Sequence, residues 1–180
     1  MSRVSELVEK YQTHIALPWL KSLAPQQRVL FLVYEPAEEL KLRLLLDSFE
    51  ASTKAVGHGW KLVDVENAFA DWMSQQDYKE AYFENPELFT EDQLEPFVEH
   101  VTERIIAAAG SVASDPEAVV AVAGAGAMFG LASVHRIVES AARNVAGRLA
   151  VFFPGSCSGG NFRLLDGHDG EGYHATVINA

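Results

Sequence analysis

Three groups of residues in this chain have the types and spacing to do chemistry. The first is Pro154-Gly155-Ser156-Cys157-Ser158-Gly159-Gly160. A cysteine in a loop can act as a nucleophile if a histidine takes its proton, and His135, His168 or His174 could be that base. No cysteine-hydrolase pattern surrounds Cys157, and Gly155-Ser156-Cys157-Ser158-Gly159 has the wrong spacing for a Gly-x-Ser-x-Gly elbow. Cys157 therefore reads as an incidental thiol in a turn. The second group is His168, Asp169, Glu171 and His174, all of them metal-ligand types. Its histidines are six apart across a hairpin, not four apart on a helix. The expected structure is a polar turn between Asp166 and Tyr173, with Gly167, Gly170 and Gly172 supplying positive φ.

The third group is the glycine turn Gly124-Ala125-Gly126-Ala127-Met128-Phe129-Gly130. A strand before it and a helix after it would suit a phosphate loop. A dinucleotide fingerprint, however, wants its third glycine or alanine at Phe129 and an acid where Phe153-Pro154 stands. No Gly-Lys-Ser or Gly-Lys-Thr occurs, which excludes a Walker A loop. Ligands of open α/β sheets sit at the carboxyl ends of the strands. Those ends carry Glu35, Asp64 with Glu66, and Gly124, and the acids would repel phosphate unless a divalent cation intervened. The alternative left open is a nucleotide- or magnesium-dependent enzyme using the crevice near Gly124 and Gly126. Helix starts favour acids anyway, through the macrodipole. The residues give no convincing catalytic constellation, and no metal or cofactor is expected. His135, on the helix after the glycine turn, reads as a hydrogen-bonded structural histidine.

The elements that would position these residues alternate. A first helical segment lies within residues 4–23, with Leu7, Val8, Tyr11 and Ile15 on one face and Pro18 ending or kinking it. Arg28 to Tyr34 is a continuous apolar run, suited to a strand covered on both faces. Glu38 to Val56 predicts a helix with Leu40, Leu44 and Phe49 among its apolar positions, stopped by Gly57-His58-Gly59. Trp60 to Val65 is a second strand. A helix begins at Asn67, and 71–89 reads as helix plus loop. Thr90 and Gln93 have the form of a capping box. The next helix buries Leu94, Phe97, Val98, Val101 and Ile105.

Further strands are expected over 117–123, 147–153, 161–166 and 173–178, with a helix over 127–144. The last two strands would form an antiparallel hairpin at one edge. The fold class is therefore α/β: a three-layer sandwich with a mostly parallel central sheet, helices on both faces and a C-terminal antiparallel hairpin. It is Rossmann-like or P-loop-like without the nucleotide motifs. One domain over residues 1–180 is expected, with the N-terminal helical segment in 1–24 and the hairpin in 160–180.

Charge and composition bound the function further. The net charge is −11, from 25 acids against 14 lysines and arginines, which makes a nucleic-acid-binding subunit the weakest reading. The single cysteine excludes an internal disulfide and fits a reducing, cytoplasmic setting. No apolar signal core follows Met1, and the apolar run over 118–127 is too short to cross a bilayer. Trp72, Tyr78, Tyr82 and Phe83 lie among acids and glutamines and are candidates for a partner surface, since tyrosine and tryptophan are favoured at interface hot spots.

Taken in order, several motifs resemble the BrxB family of BREX bacteriophage-defence systems. An early strand leads into Pro-x-x-Glu-Leu-x-x-Arg, here Pro36, Glu39, Leu40 and Arg43. Gly124-Ala125-Gly126 follows, with His135 downstream, then Phe153-Pro154-Gly155 and Phe162-Arg163-Leu164-Leu165-Asp166, with Tyr173 in the closing hairpin. Ser156 to Gly160 departs from the tyrosine-containing turn of many relatives, and 72–89 matches least well. The resemblance implies a non-catalytic adaptor. It would act through contacts with a PglZ-like partner of alkaline-phosphatase fold, and through that partner with the methyltransferase. It would then have no direct contact with nucleic acid or membrane. The candidate binding residues this leaves are Pro36, Glu39, Arg43, Gly124, Gly126, His135, Pro154, Gly155, Arg163, Asp166 and Tyr173.

Overall fold

A computed structural model describes residues 2–171 and 174–180. In chain order the elements are α1 (Arg3–Ile15), β1 (Val29–Tyr34), α2 (Glu39–Ala55), β2 (Trp60–Asp64), α3 (Ala68–Ser74), α4 (Lys79–Glu84) and α5 (Glu91–Ser111). Then come β3 (Val119–Ala123), α6 (Val134–Ala142), β4 (Arg148–Ser158), β5 (Asn161–Leu164), β6 (Gly167–Glu171) and β7 (Thr176–Asn179). Five strands form a parallel sheet in the order β2-β3-β4-β1-β7. The seven-stranded whole is completed by β5 and β6, which add antiparallel to the far half of β4. No helix among the described residues is long and apolar enough to cross a membrane.

The apolar runs follow from burial on both faces. In β1, Val29, Phe31 and Val33 join one core with residues of α3, α5 and α6. Leu30, Leu32 and Tyr34 join the opposite core with α1 and α2. This period-two alternation places a helix layer on each side of the sheet. α5 buries the five residues that its 3.6-residue spacing singles out: Leu94, Phe97, Val98, Val101 and Ile105. α1 buries Val4, Leu7, Tyr11 and Ile15, and it ends before Pro18.

Several local expectations are corrected. α2 turns Leu42, Phe49 and Thr53 inward, while Leu40 and Leu44 are 78% and 82% exposed. The Thr90 side chain makes no cap hydrogen bond. Gln93 instead accepts the Tyr82 hydroxyl at 3.0 Å, so the capping box does not form. The helix expected from Ala127 begins only at Val134, because Gly130 at φ 74° redirects the chain and Ser133 caps the new start.

At the C-terminus an antiparallel hairpin is present, but its strands differ from those expected. Residues 167–171 are not a turn; they are β6, paired with β5. β7 runs parallel to β1, with Phe31 opposite Val177. The positive φ values fall at Gly159, Gly160 and Leu165, not at Gly167 or Gly170. Cys157 lies in β4 opposite Phe162, one step before that turn. Burial raises its thiol pKa, so the protonated, poorly nucleophilic form is favoured. Tyr173 and Gly172 lie outside the described residues.

Candidate functional site

The strands on either side of β4 send their following segments to opposite faces: α2 after β1, α6 after β3. A crevice opens between them at the carboxyl ends of the strands, where α/β sheets place their sites. Its volume is about 290 Å³. Pro36, Glu39, Arg43, Gly124, Gly126 and Pro154 all line it. Residues spread over nearly 120 positions of sequence thus converge on one place.

Pro36 opens a short 3-10 turn after β1, a position where its missing N–H costs nothing. Glu39 begins α2 and accepts the Tyr34 hydroxyl with one carboxylate oxygen. Its other oxygen accepts Arg43 Nε at 2.9 Å, an i,i+4 pair. The same guanidinium donates to Asp64 Oδ2 at 2.8 Å and lies 3.2 Å from Glu66 Oε2. Asp64 Oδ1 accepts the Glu66 amide at 2.9 Å, which fixes the turn after β2. Arg43 therefore ties α2 to the end of β2 through three carboxylates. The hydrogen bond to Asp64, more than any other contact, raises its pKa and keeps it charged.

Glycine is required at the floor of the crevice. Gly124 has φ 82°, and a Cβ there would lie 2.6 Å from the Glu66 amide nitrogen and 2.7 Å from Asp64 Oδ1. At Gly126 a Cβ would come 3.2 Å from Pro154 Cγ. A Cβ on Gly155, just past the crevice, would meet the Arg163 carbonyl oxygen at 1.9 Å.

The chemistry available here is limited. One cation is held by three carboxylates, no serine, cysteine or histidine lines the crevice, and the glycine turn does not lead directly into a long helix. The arrangement is an ion-pair clasp and lacks the features of a phosphate cradle. Glu35 takes no part, since its carboxylate pairs with Arg3. Among the described residues, no group of three or more His, Cys, Asp or Glu side chains could hold a metal ion.

The other candidates lie elsewhere. His135 is buried, its ring stacked on Phe31 at 5.0 Å and edge-on to Phe162 at 4.5 Å. Its Nδ1 is 2.5 Å from Asp169 Oδ2, and the Asp169 carboxylate also accepts the amides of Val134 and His135 at 2.9 and 3.0 Å. Asp169 thus caps α6 from β6, and Gly170 leaves room for the His135 ring. Ser133 lies beside this pair, but its Oγ donates to the Asp169 carbonyl, not to the imidazole. The sequence marks Asp169 as one of four metal-ligand types in a polar turn, not as a partner of His135. Its partner stands 34 positions away, and no local pattern joins them. Arg163 folds over its own hairpin and donates through Nε and a terminal nitrogen to the Asp166 carbonyl at 3.1 and 2.7 Å.

The aromatic segment divides in two. Trp72 is 7% exposed and packs on Phe97 at 5.6 Å, so it belongs to the core and is not available as a surface. Tyr82 is half-buried and stacks on Phe89 at 4.6 Å. Tyr78 and Phe83 point outward, 75% and 67% exposed, with Leu88 at 46%. Asp77, Glu80, Glu84 and Glu87 are interspersed with them in sequence, with Lys79 the only base from 77 to 88.

The chain matches no family model, no curated protein and no solved structure in the comparisons made.

Proposed function

We propose that this protein is a non-catalytic adaptor of a BREX-type bacteriophage-defence system, docking on a PglZ-like partner and through it on the methyltransferase. The observation that carries the protein-contact reading is the surface around α4. Tyr78, Phe83 and Leu88 are large apolar side chains held in solvent on one short acidic segment. Exposed large apolar side chains are available for a partner to cover, and tyrosine is a favoured anchor in such contacts. The acids of the segment suit a partner with basic groups around an apolar pocket. The motifs quoted above supply the family of partner. Pro36, Glu39, Arg43, Gly124, Gly126 and Pro154 meet at one crevice, which is a reason to treat those motifs as a set.

The enzyme alternative has less support. The one cation lining the crevice among the described residues is Arg43, whose charge is already met by Glu39, Asp64 and Glu66. Co-expression with a PglZ-like protein tests the proposal. A complex that survives size-exclusion chromatography at micromolar concentration is expected, and two separate peaks would reject this pairing.

A further inference from the structure

The opposite end of the sheet, where the parallel strands begin, carries an unexpected charge pattern. Arg148 opens β4 and is only 8% exposed. Arg28 stands immediately before β1. Both line a cavity of about 170 Å³ together with Trp19, Lys21 and Glu117. Arg148 also lines an adjoining cavity of about 140 Å³, beside His14 and Thr176.

Arg148 makes no side-chain hydrogen bond and no ion pair with any described residue. Its one directed contact is the Trp19 ring, 4.5 Å from the guanidinium carbon. Arg28 donates from one terminal nitrogen to the Ala146 carbonyl at 2.8 Å, while its Nε is buried without an acceptor. Among the described residues the only acid lining either cavity is Glu117, and its carboxylate lies 3.6 Å from His58 Nδ1. His58 in turn stacks on Trp19 at 3.9 Å.

Two arginines and a lysine therefore share a recess in a chain of net charge −11, although there are 25 acids to pair with them. Burying Arg28 Nε without an acceptor is costly, and placing a second guanidinium beside it adds repulsion. Burial and the facing Arg28 charge both lower the Arg148 pKa. His14 is likewise lowered, by burial and by Arg148. An anion in the recess would relieve all of these costs together.

We propose that the Arg28–Arg148 recess is a binding site for a small oxyanion, of phosphate or carboxylate chemistry. The planar guanidinium fork matches both groups, and Trp19 holds the Arg148 fork in place. Each cavity by itself lies below the roughly 300 Å³ at which sites for larger ligands begin. The cavity that both arginines line has room for a single anionic head. Leu17 and Leu20, 55% and 64% exposed, lie at the cavities' rim and would accept a short apolar body attached to that head.

The test is a titration of the whole protein with inorganic phosphate and, separately, with acetate, against sodium chloride at matched ionic strength. Melting temperature and tryptophan fluorescence are both read. A saturable rise in melting temperature with a fluorescence change is expected for at least one anion at millimolar concentration, and the arm that saturates names the chemistry. Arg148→Gln should weaken apparent affinity at least tenfold. Arg28→Gln should do the same and serves if the buried variant does not fold. Lys41→Gln, near the start of α2 and lining neither cavity, should leave binding unchanged. The proposal is overturned if neither anion exceeds chloride in the wild-type protein. It is equally overturned if the folded Arg148 or Arg28 variants bind as wild type does.

Discussion

At the scale of single residues, the side chains that looked reactive are committed to structure. Asp169 holds His135 and two amides of α6, and Arg43 holds three carboxylates. Two consequences can be measured. Gly124→Ala forces a Cβ into a position at φ 82° and against backbone, so it should cost stability near the top of the about 1–3 kcal/mol typical of such strain, read by urea denaturation. The second concerns alkaline pH. The phenols of Tyr11 and Tyr34 are both pushed up, chiefly by burial, and Tyr34 also by its bond to Glu39. The folded state thus holds these protons more tightly than the unfolded chain does, where tyrosine titrates near about pH 10. Their contribution is complete below that pH and is lost as pH climbs toward the raised values. The slope is up to about 1.4 kcal/mol per pH unit for each tyrosine. Denaturation midpoints between about pH 8 and about pH 11 should fall for wild type and fall less steeply for Tyr34→Phe.

At the scale of elements, legibility depended on whether the signal is local. β1 reads directly from Val29 to Tyr34 because burial on both faces leaves no polar residue in it. α5 reads directly because its apolar residues share one face. α2 misleads because leucines occupy every side of it, at 40, 42, 44, 45 and 46, and only packing decides that Leu42 goes in while Leu40 and Leu44 stay out. Replacing Leu40 by Lys or Leu44 by Gln should accordingly change stability by no more than about 0.5 kcal/mol. Phe49→Ala, from the buried face, should cost about 3–5 kcal/mol by thermal or chemical denaturation. The crevice was legible in its parts: the acids at the end of the second strand and the glycines after the third stand where expected, while Glu35 turns to Arg3. The Arg43 clasp was not, because it joins residues 21 and more positions apart in sequence. The pairing of β7 with β1 was hidden for the same reason, since a strand pattern names no partner. The tie between β6 and α6 is also non-local. Asp169→Ala removes a cap and the carboxylate bonded to a buried imidazole, with an expected loss of about 2–4 kcal/mol by urea denaturation.

At the scale of the whole molecule, the parallel sheet separates two chemistries. The carboxyl ends of the strands meet in an acidic clasp that neutralises its own arginine. The amino ends meet in a recess whose arginines lack acidic partners. Apart from these chemistries, the α4 segment exposes Tyr78 and Phe83 among acids of the sequence. On this account the protein works by being bound. Tyr78 and Phe83 are exposed, so changing both to serine should leave the fold within about 1 kcal/mol of wild type. The most direct measurement is calorimetric titration of a PglZ-like partner into wild-type protein and into the Tyr78→Ser, Phe83→Ser double variant. Micromolar or tighter binding to wild type, weakened at least tenfold in the folded double variant, is the predicted result. Equal affinity for both proteins, or no binding to wild type, would contradict it.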